Sequence, residues 1–172
     1  AKDRKLGVLL KRIKKGQGTM RAFTFENATK IYFGGGCVKE HLLEAVKPYG
    51  ETVMLAYGGG SIKTNGIYQE VMDVLKLAGK QVIEFSGIMP NPTYSKVMEG
   101  KKVVQENQVD LILAVGGGSV MDCSKAISMA AATDKDVWEE YWIKKGEIDF
   151  EPVPVGVIVT VVGTGSEVNG EG

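Results

Sequence analysis

Residues 110–125 read Asp110-Leu111-Ile112-Leu113-Ala114-Val115-Gly116-Gly117-Gly118-Ser119-Val120-Met121-Asp122-Cys123-Ser124-Lys125. Leu111 to Val115 form an unbroken apolar run that ends in three glycines and a serine. A short apolar run bounded by turn residues is the pattern of a parallel strand buried on both faces. Beyond it Val120, Cys123, Ile127 and Ala130 recur at helical spacing, so a helix is expected to begin near Ser119. The stretch therefore reads as a strand, a tight turn and a helix N-terminus. Gly116, Gly117 and Gly118 carry no Cβ, so a ligand can approach the backbone, and the open N–H groups of the next turn attract an anion such as a phosphate. The alternative is that the glycines serve packing alone.

Working outward, the same alternation recurs on both sides. Lys30 to Phe33 reads as a short strand ending in Gly34-Gly35-Gly36, followed by a helix with Val38, Leu42, Ala45, Val46 and Tyr49 on one face. Thr52 to Tyr57 is the next strand; it ends in Gly58-Gly59-Gly60-Ser61 and leads to a helix carrying Ile67, Val71, Val74, Leu75 and Ala78, stopped by Gly79. Gln81 to Phe85 is a third strand, followed by the loop Gly87-Ile88-Met89-Pro90-Asn91-Pro92 and a helix from about Thr93 to Asn107. After the central unit, whose helix runs to about Thr133, an amphipathic piece carries Val137, Trp138, Tyr141 and Trp142. Val153 to Val162 is then a β-branched strand. Helices alternating with buried strands predict an α/β fold, a parallel sheet with helices on both faces. Right-handed crossovers place the glycine-rich ends along one edge.

Three of these strand ends carry similar loops: Gly58-Gly59-Gly60-Ser61, Gly116-Gly117-Gly118-Ser119 and Gly163-Thr164-Gly165-Ser166. Ligands of open α/β sheets bind outside the carboxyl ends of the strands, so the three loops are expected to share a crevice that takes a long phosphorylated ligand such as a dinucleotide. The pattern is neither G-x-G-x-x-G after the first strand nor a phosphate-binding loop closed by Gly-Lys-Ser/Thr. The strand 52–57 has no terminal Asp or Glu to hold a ribose 2′-hydroxyl. Gly59, Gly60, Ser61 and Lys63 leave room and donors for a 2′-phosphate, which leans toward NADP while still admitting NAD.

The 172 residues suit one domain. Seven basic residues against Asp3 give the first 19 residues a charge of +6, and since the whole is neutral the remainder carries −6. The acidic remainder argues against nucleic acid as a partner. Cys37 and Cys123 lack metal-ligand spacing, so neither a zinc site nor a disulfide framework is expected, and a reducing, cytoplasmic setting is the default. No apolar run approaches the roughly 18 residues of a membrane span. Residues 1–19, closed by Gly16-Gln17-Gly18 and followed by a start-like Met20, admit two readings. One is a basic amphipathic helix that lies on a membrane or partner; the other, preferred, is a tag or non-native extension outside the domain at 20–172.

Taken in order, Phe33-Gly34-Gly35-Gly36, Tyr57-Gly58-Gly59-Gly60-Ser61-Ile62-Lys63, Pro90-Asn91-Pro92, Gly116 to Asp122 with Lys125, and Gly163-Thr164-Gly165-Ser166-Glu167 resemble the iron-containing (group III) alcohol dehydrogenases, and among them the butanol dehydrogenases. The resemblance runs from about Phe23 to the end. It implies a Rossmann-like domain of the dehydroquinate synthase type, and an NAD(P)-dependent oxidoreductase that interconverts alcohols and aldehydes. It also implies that Gly59, Gly60 and Ser61 meet the adenosine ribose or its 2′-phosphate and that Gly117, Gly118 and Ser119 hold the pyrophosphate. Asn91 would face the cofactor, and Thr160, Thr164 and Asn169 would line the nicotinamide side. Asp122 either bonds a ribose or caps its own helix.

In this family a divalent metal, iron or zinc, is held by an aspartate and three histidines of a helical domain that follows the cofactor domain. The single histidine here, His41, reads as a surface residue. The resemblance thus implies the cofactor half of a homodimeric enzyme with the metal-binding domain absent, inactive as it stands. A glycerol dehydrogenase or dehydroquinate synthase-like fragment shares the Gly-Gly-Gly-Ser helix start, although the Tyr57–Lys63 run and the Pro-Asn-Pro loop favour the first reading. A non-enzymatic nucleotide-binding module is the third possibility. In a fourth, the chain is only marginally folded and apolar residues around Trp138 and Trp142 drive self-association.

Overall fold

A computed structural model describes residues 29–167. Four parallel strands, β1 (Thr52–Tyr57), β2 (Gln81–Phe85), β3 (Leu111–Gly116) and β4 (Val155–Val159), form one sheet in the order β2-β1-β3-β4. The helices are α1 (Cys37–Val46), α2 (Ser61–Thr64), α3 (Ile67–Leu77), α4 (Tyr94–Glu106) and α5 (Gly118–Ala131), with a π-helical turn at Trp138–Ile143.

The layering follows from the alternation of β1 and β3. Val53, Leu55 and Tyr57 join Leu111, Leu113 and Val115 in a core with α1, α2 and α3. Met54 and Ala56 join Ile112 and Ala114 in a second core with α4 and α5, extended by Val137. Each fully buried aliphatic side chain contributes roughly 1.5–3 kcal/mol, so both faces of the central strands demand apolar residues. That is why the two segments read as continuous runs. An apolar strand has no polar face to set its register, and here the amino ends do so. The Asp110 carboxylate accepts from Thr52 N at 3.0 Å while Asp110 N donates to Thr52 O at 2.9 Å. A Cβ on Gly50 would lie 2.3 Å from that carboxylate, so no larger residue fits beside the clamp.

Two expectations are corrected. Residues 30–33 form no strand: Ile31 and Phe33 are 63% and 97% exposed and pair with no neighbouring strand among the described residues. A ladder needs a partner, and local β-propensity does not supply one. The segment 153–162 is a strand only over Val155–Val159, because β3 ends at Gly116 and the chain turns through Gly117 into α5. Thr160 N closes the ladder on Gly116 O at 2.9 Å, leaving Val161 and Val162 65% and 80% exposed. The helix expected to carry Ile67, Val71, Val74 and Leu75 is α3, and the short α2 ahead of it is set off by a turn at Asn65-Gly66: Gly66 takes φ +83° and the Asn65 side chain accepts from Ile67 N at 3.2 Å. The N-terminal 28 residues, including the basic segment and Met20, lie outside the described residues.

Candidate functional site

The order β1-β3-β4 sets the three glycine loops side by side at the carboxyl edge of the sheet. The loop after β2 folds across the end of β1, with Gly87 N donating to Gly58 O at 2.9 Å and Ile88 N to Tyr57 O at 3.3 Å. Buried Ile88 thus anchors the strap that leads to Asn91, which is exposed and held at φ +53° between two prolines.

Within this edge the glycines divide by cause. A Cβ on Gly116 would meet Val120 at 2.6 Å, and one on Gly58 would meet the Ile88 carbonyl oxygen at 3.0 Å, so packing accounts for both. A Cβ on Gly118 would lie 2.7 Å from Thr164 Cγ2, so here the β3 and β4 loops approach each other closely. Gly59 and Gly60 have nothing within 4 Å of a would-be Cβ, and for Gly117 the nearest atom, on Val161, is 3.6 Å away. Packing alone therefore does not account for the run: bare backbone faces open space at Gly59 and Gly60, and at Gly117 a side chain would meet only an ordinary contact.

No side chain caps α5; Val120 N and Met121 N donate to Gly117 O, and the amides ahead of them belong to the open first turn. Such a terminus, with Ser119 half-buried in its first turn, suits a phosphate group. Asp122 does not cap this helix. Its Oδ1 is enclosed without a hydrogen bond, and the Lys125 ammonium stands 3.3 Å away as an ion pair. Thr160, half-buried, is fixed through its amide to β3, and Thr164, exposed, faces Gly118. Gly117, Gly118, Ser119, Thr160 and Thr164 are thus brought together. Gly59, Gly60, Ser61 and Asn91 share the same edge one strand over, and Asn169 lies outside the described residues.

A polar cluster beneath the first loop was not foreseen. Glu84, in β2 opposite Leu55, accepts from Tyr57 Oη at 2.5 Å and from Tyr68 Oη at 2.7 Å. Lys63 Nζ lies 3.5 Å from the same carboxylate and over the two tyrosine rings at 5.3 and 4.6 Å. The two phenols, followed by Lys63, hold the Glu84 carboxyl below its ordinary range. The Lys63 ammonium is raised, first by Tyr57 and then by Glu84. A glutamate on an edge strand beside a glycine loop was the available signal; which tyrosines it would meet was not readable.

His41 stacks on Tyr32 with ring centroids 4.3 Å apart and has Glu40 at 3.8 Å, which keeps it partly exposed on α1. Among the described residues no group of three or more His, Cys, Asp or Glu could hold a metal ion, and no helix is long and apolar enough to cross a membrane. A cavity of about 380 Å³ lined by Met72, Lys76, Lys80 and Val82 opens between α3 and the amino end of β2, at the opposite edge from the loops.

Fold and site together define an open parallel α/β domain with a glycine-lined ligand edge at the carboxyl ends of its strands. The sequence profile of the iron-containing alcohol dehydrogenases matches residues 28–170, and the chain belongs to that family. It is 46% identical over 150 residues to a probable NADH-dependent butanol dehydrogenase of Bacillus subtilis (strain 168), covering 87% of this chain and 38% of the relative. With an NADPH-dependent aldehyde reductase of Escherichia coli (strain K12) it shares 39% identity over 151 residues, 87% of this chain and 38% of that protein. The crystal structure of an NADH-dependent butanol dehydrogenase A from Thermotoga maritima superimposes with a TM-score of 0.80 at 41% identity, over 87% of this chain and 37% of that one. The chain thus spans under two-fifths of the length of these relatives.

Proposed function

We propose that the protein transfers hydride between a nicotinamide dinucleotide and a small alcohol or aldehyde, and that residues 20–172 are its dinucleotide-binding domain. The observation that carries this reading is the convergence of three glycine loops on one sheet edge, beside a helix N-terminus without a side-chain cap. Gly117, Gly118 and Ser119 would hold the pyrophosphate at the start of α5, where backbone amides and the helix dipole stabilise negative charge. Gly59, Gly60 and Ser61 would take the adenosine ribose, Asp122 would accept from a ribose hydroxyl, and Asn91 would close the edge from the β2 side. Thr160, Thr164 and Asn169 would orient the nicotinamide, whose C4 donates or receives the hydride.

The described residues do not suit the iron or zinc of such an enzyme, since no ligand set is assembled among them. The metal would be held by a helical domain outside these 172 residues, in a homodimer. Two unpaired thiols suit a cytoplasmic setting. The test is the oxidation of NADH or NADPH by a short aliphatic aldehyde such as butanal, using the whole metal-loaded protein. Aldehyde-dependent loss of the reduced dinucleotide supports the reading; a folded, metal-loaded protein that turns over neither dinucleotide with any short aldehyde overturns it.

A further inference from the structure

The Glu84 cluster bears on which dinucleotide the edge accepts. Lys63 follows Ser61 by two residues on α2, and its ammonium is engaged by Glu84. Lys63 is 48% exposed at its side chain and Glu84 41%, which keeps both within reach of a bound ligand while water screens them. Glu84 is not free to swing away. Two tyrosine hydroxyls grip its two carboxylate oxygens, one from β1 at 2.5 Å and one from α3 at 2.7 Å. A negative charge is thereby fixed beside a cation that would otherwise greet a 2′-phosphate.

We propose that Glu84 is a positioning residue for cofactor choice, holding and neutralising Lys63 so that the adenosine 2′ position meets no net positive charge and NADH is accepted in preference to NADPH. This rests on the reading that Gly59, Gly60 and Ser61 meet the adenosine ribose. The physical basis is specificity by repulsion. A ribose hydroxyl is indifferent to a neutral ion pair, whereas a phosphate dianion gains little from a lysine already matched and is opposed by the fixed carboxylate. It reverses the lean toward NADP drawn from the loop alone, because the acid missing at the end of β1 is supplied from β2.

The test uses the whole enzyme and the ratio of NADPH to NADH affinity, each measured by fluorescence titration. Glu84→Gln keeps a side chain that both tyrosines can bond and removes the charge. The ratio is expected to shift toward NADPH by roughly three- to fivefold, the size an exposed charge contact carries. Glu84→Asp, which keeps the charge, should stay nearer the wild type. In Glu84→Gln combined with Lys63→Met the gain should vanish, since the effect runs through Lys63. A ratio unchanged or moved toward NADH in Glu84→Gln overturns the proposal, as does a gain that survives loss of Lys63. Either result, with NADH still bound, leaves the dinucleotide reading intact. A folded wild type that binds neither dinucleotide removes both.

Discussion

Replacing Gly118 by alanine puts the ligand edge under a defined load. The added Cβ would stand 2.7 Å from Thr164 Cγ2, 2.9 Å from Thr164 Oγ1 and 3.1 Å from Thr164 Cβ. Carbon atoms pack at about 3.5–4.0 Å, so Thr164 must retreat by about 1 Å. With Cβ itself among the close atoms, no rotation about χ1 clears the overlap, and the segment 160–166 has to move off the start of α5. Overpacking of this kind costs about 1–3 kcal/mol. If bound dinucleotide requires the two loops closed together, the same energy appears as a Kd raised roughly 5- to 150-fold. Thermal stability should change little, because Thr164 is exposed and alanine is a better helix former than glycine. Fluorescence titration with NADH on wild type, Gly118→Ala, Thr164→Ala and the double variant reads the effect. Partial recovery in the double variant is expected, since two of the three close atoms are gone. Binding by Gly118→Ala within twofold of wild type would refute the closure of these loops around the ligand.

Further outcomes concern stability and reactivity. Gly100→Ala drives a methyl to 2.4 Å from Ile127 Cδ1, a fully buried side chain where α4 crosses α5. Overpacking of about 1–3 kcal/mol, offset by about 1 kcal/mol of helix propensity, leaves a net loss of up to about 2 kcal/mol by denaturant unfolding. Ile127→Val should restore part of that loss in the double variant, and strict additivity would argue against the contact. Burial pushes the Cys123 thiol up to about 11, so a disulfide reagent at mildly alkaline pH should modify Cys37 first and Cys123 only on unfolding; equal rates would contradict the packing of α5. Glu84, whose carboxyl lies below its ordinary value of 4.5 in the folded protein, stabilises fully above that value. This contribution is lost as pH falls through the lower folded value, so the melting temperatures of wild type and Glu84→Gln should converge below about pH 4.5. A difference that stays constant with pH would show that the charge plays no part.

What could be read from the chain alone follows a physical division. β1 and β3 were legible to within a residue because both faces are buried, and continuous apolar runs bounded by glycine leave few alternatives. Gly116 to Ser119 marked the start of α5 because a strand-to-helix corner needs those residues. The failures come from non-local contacts. Lys30 to Phe33 has strand composition, but pairing depends on a neighbour that composition cannot report. Val161 and Val162 have the β-branched character of the strand before them, yet the ladder ends where β3 turns into α5. Glu84 escaped because its significance lies in Tyr57 and Tyr68, 27 and 16 residues away in sequence.

The most direct measurement of the central claim is a calorimetric titration of the folded protein with NADH and NADPH, run beside Gly118→Ala. Saturable binding of at least one dinucleotide, at one site per chain and weakened in the variant, is the expected result. A protein shown to be folded by circular dichroism that binds neither dinucleotide would contradict the assignment of the glycine-lined edge.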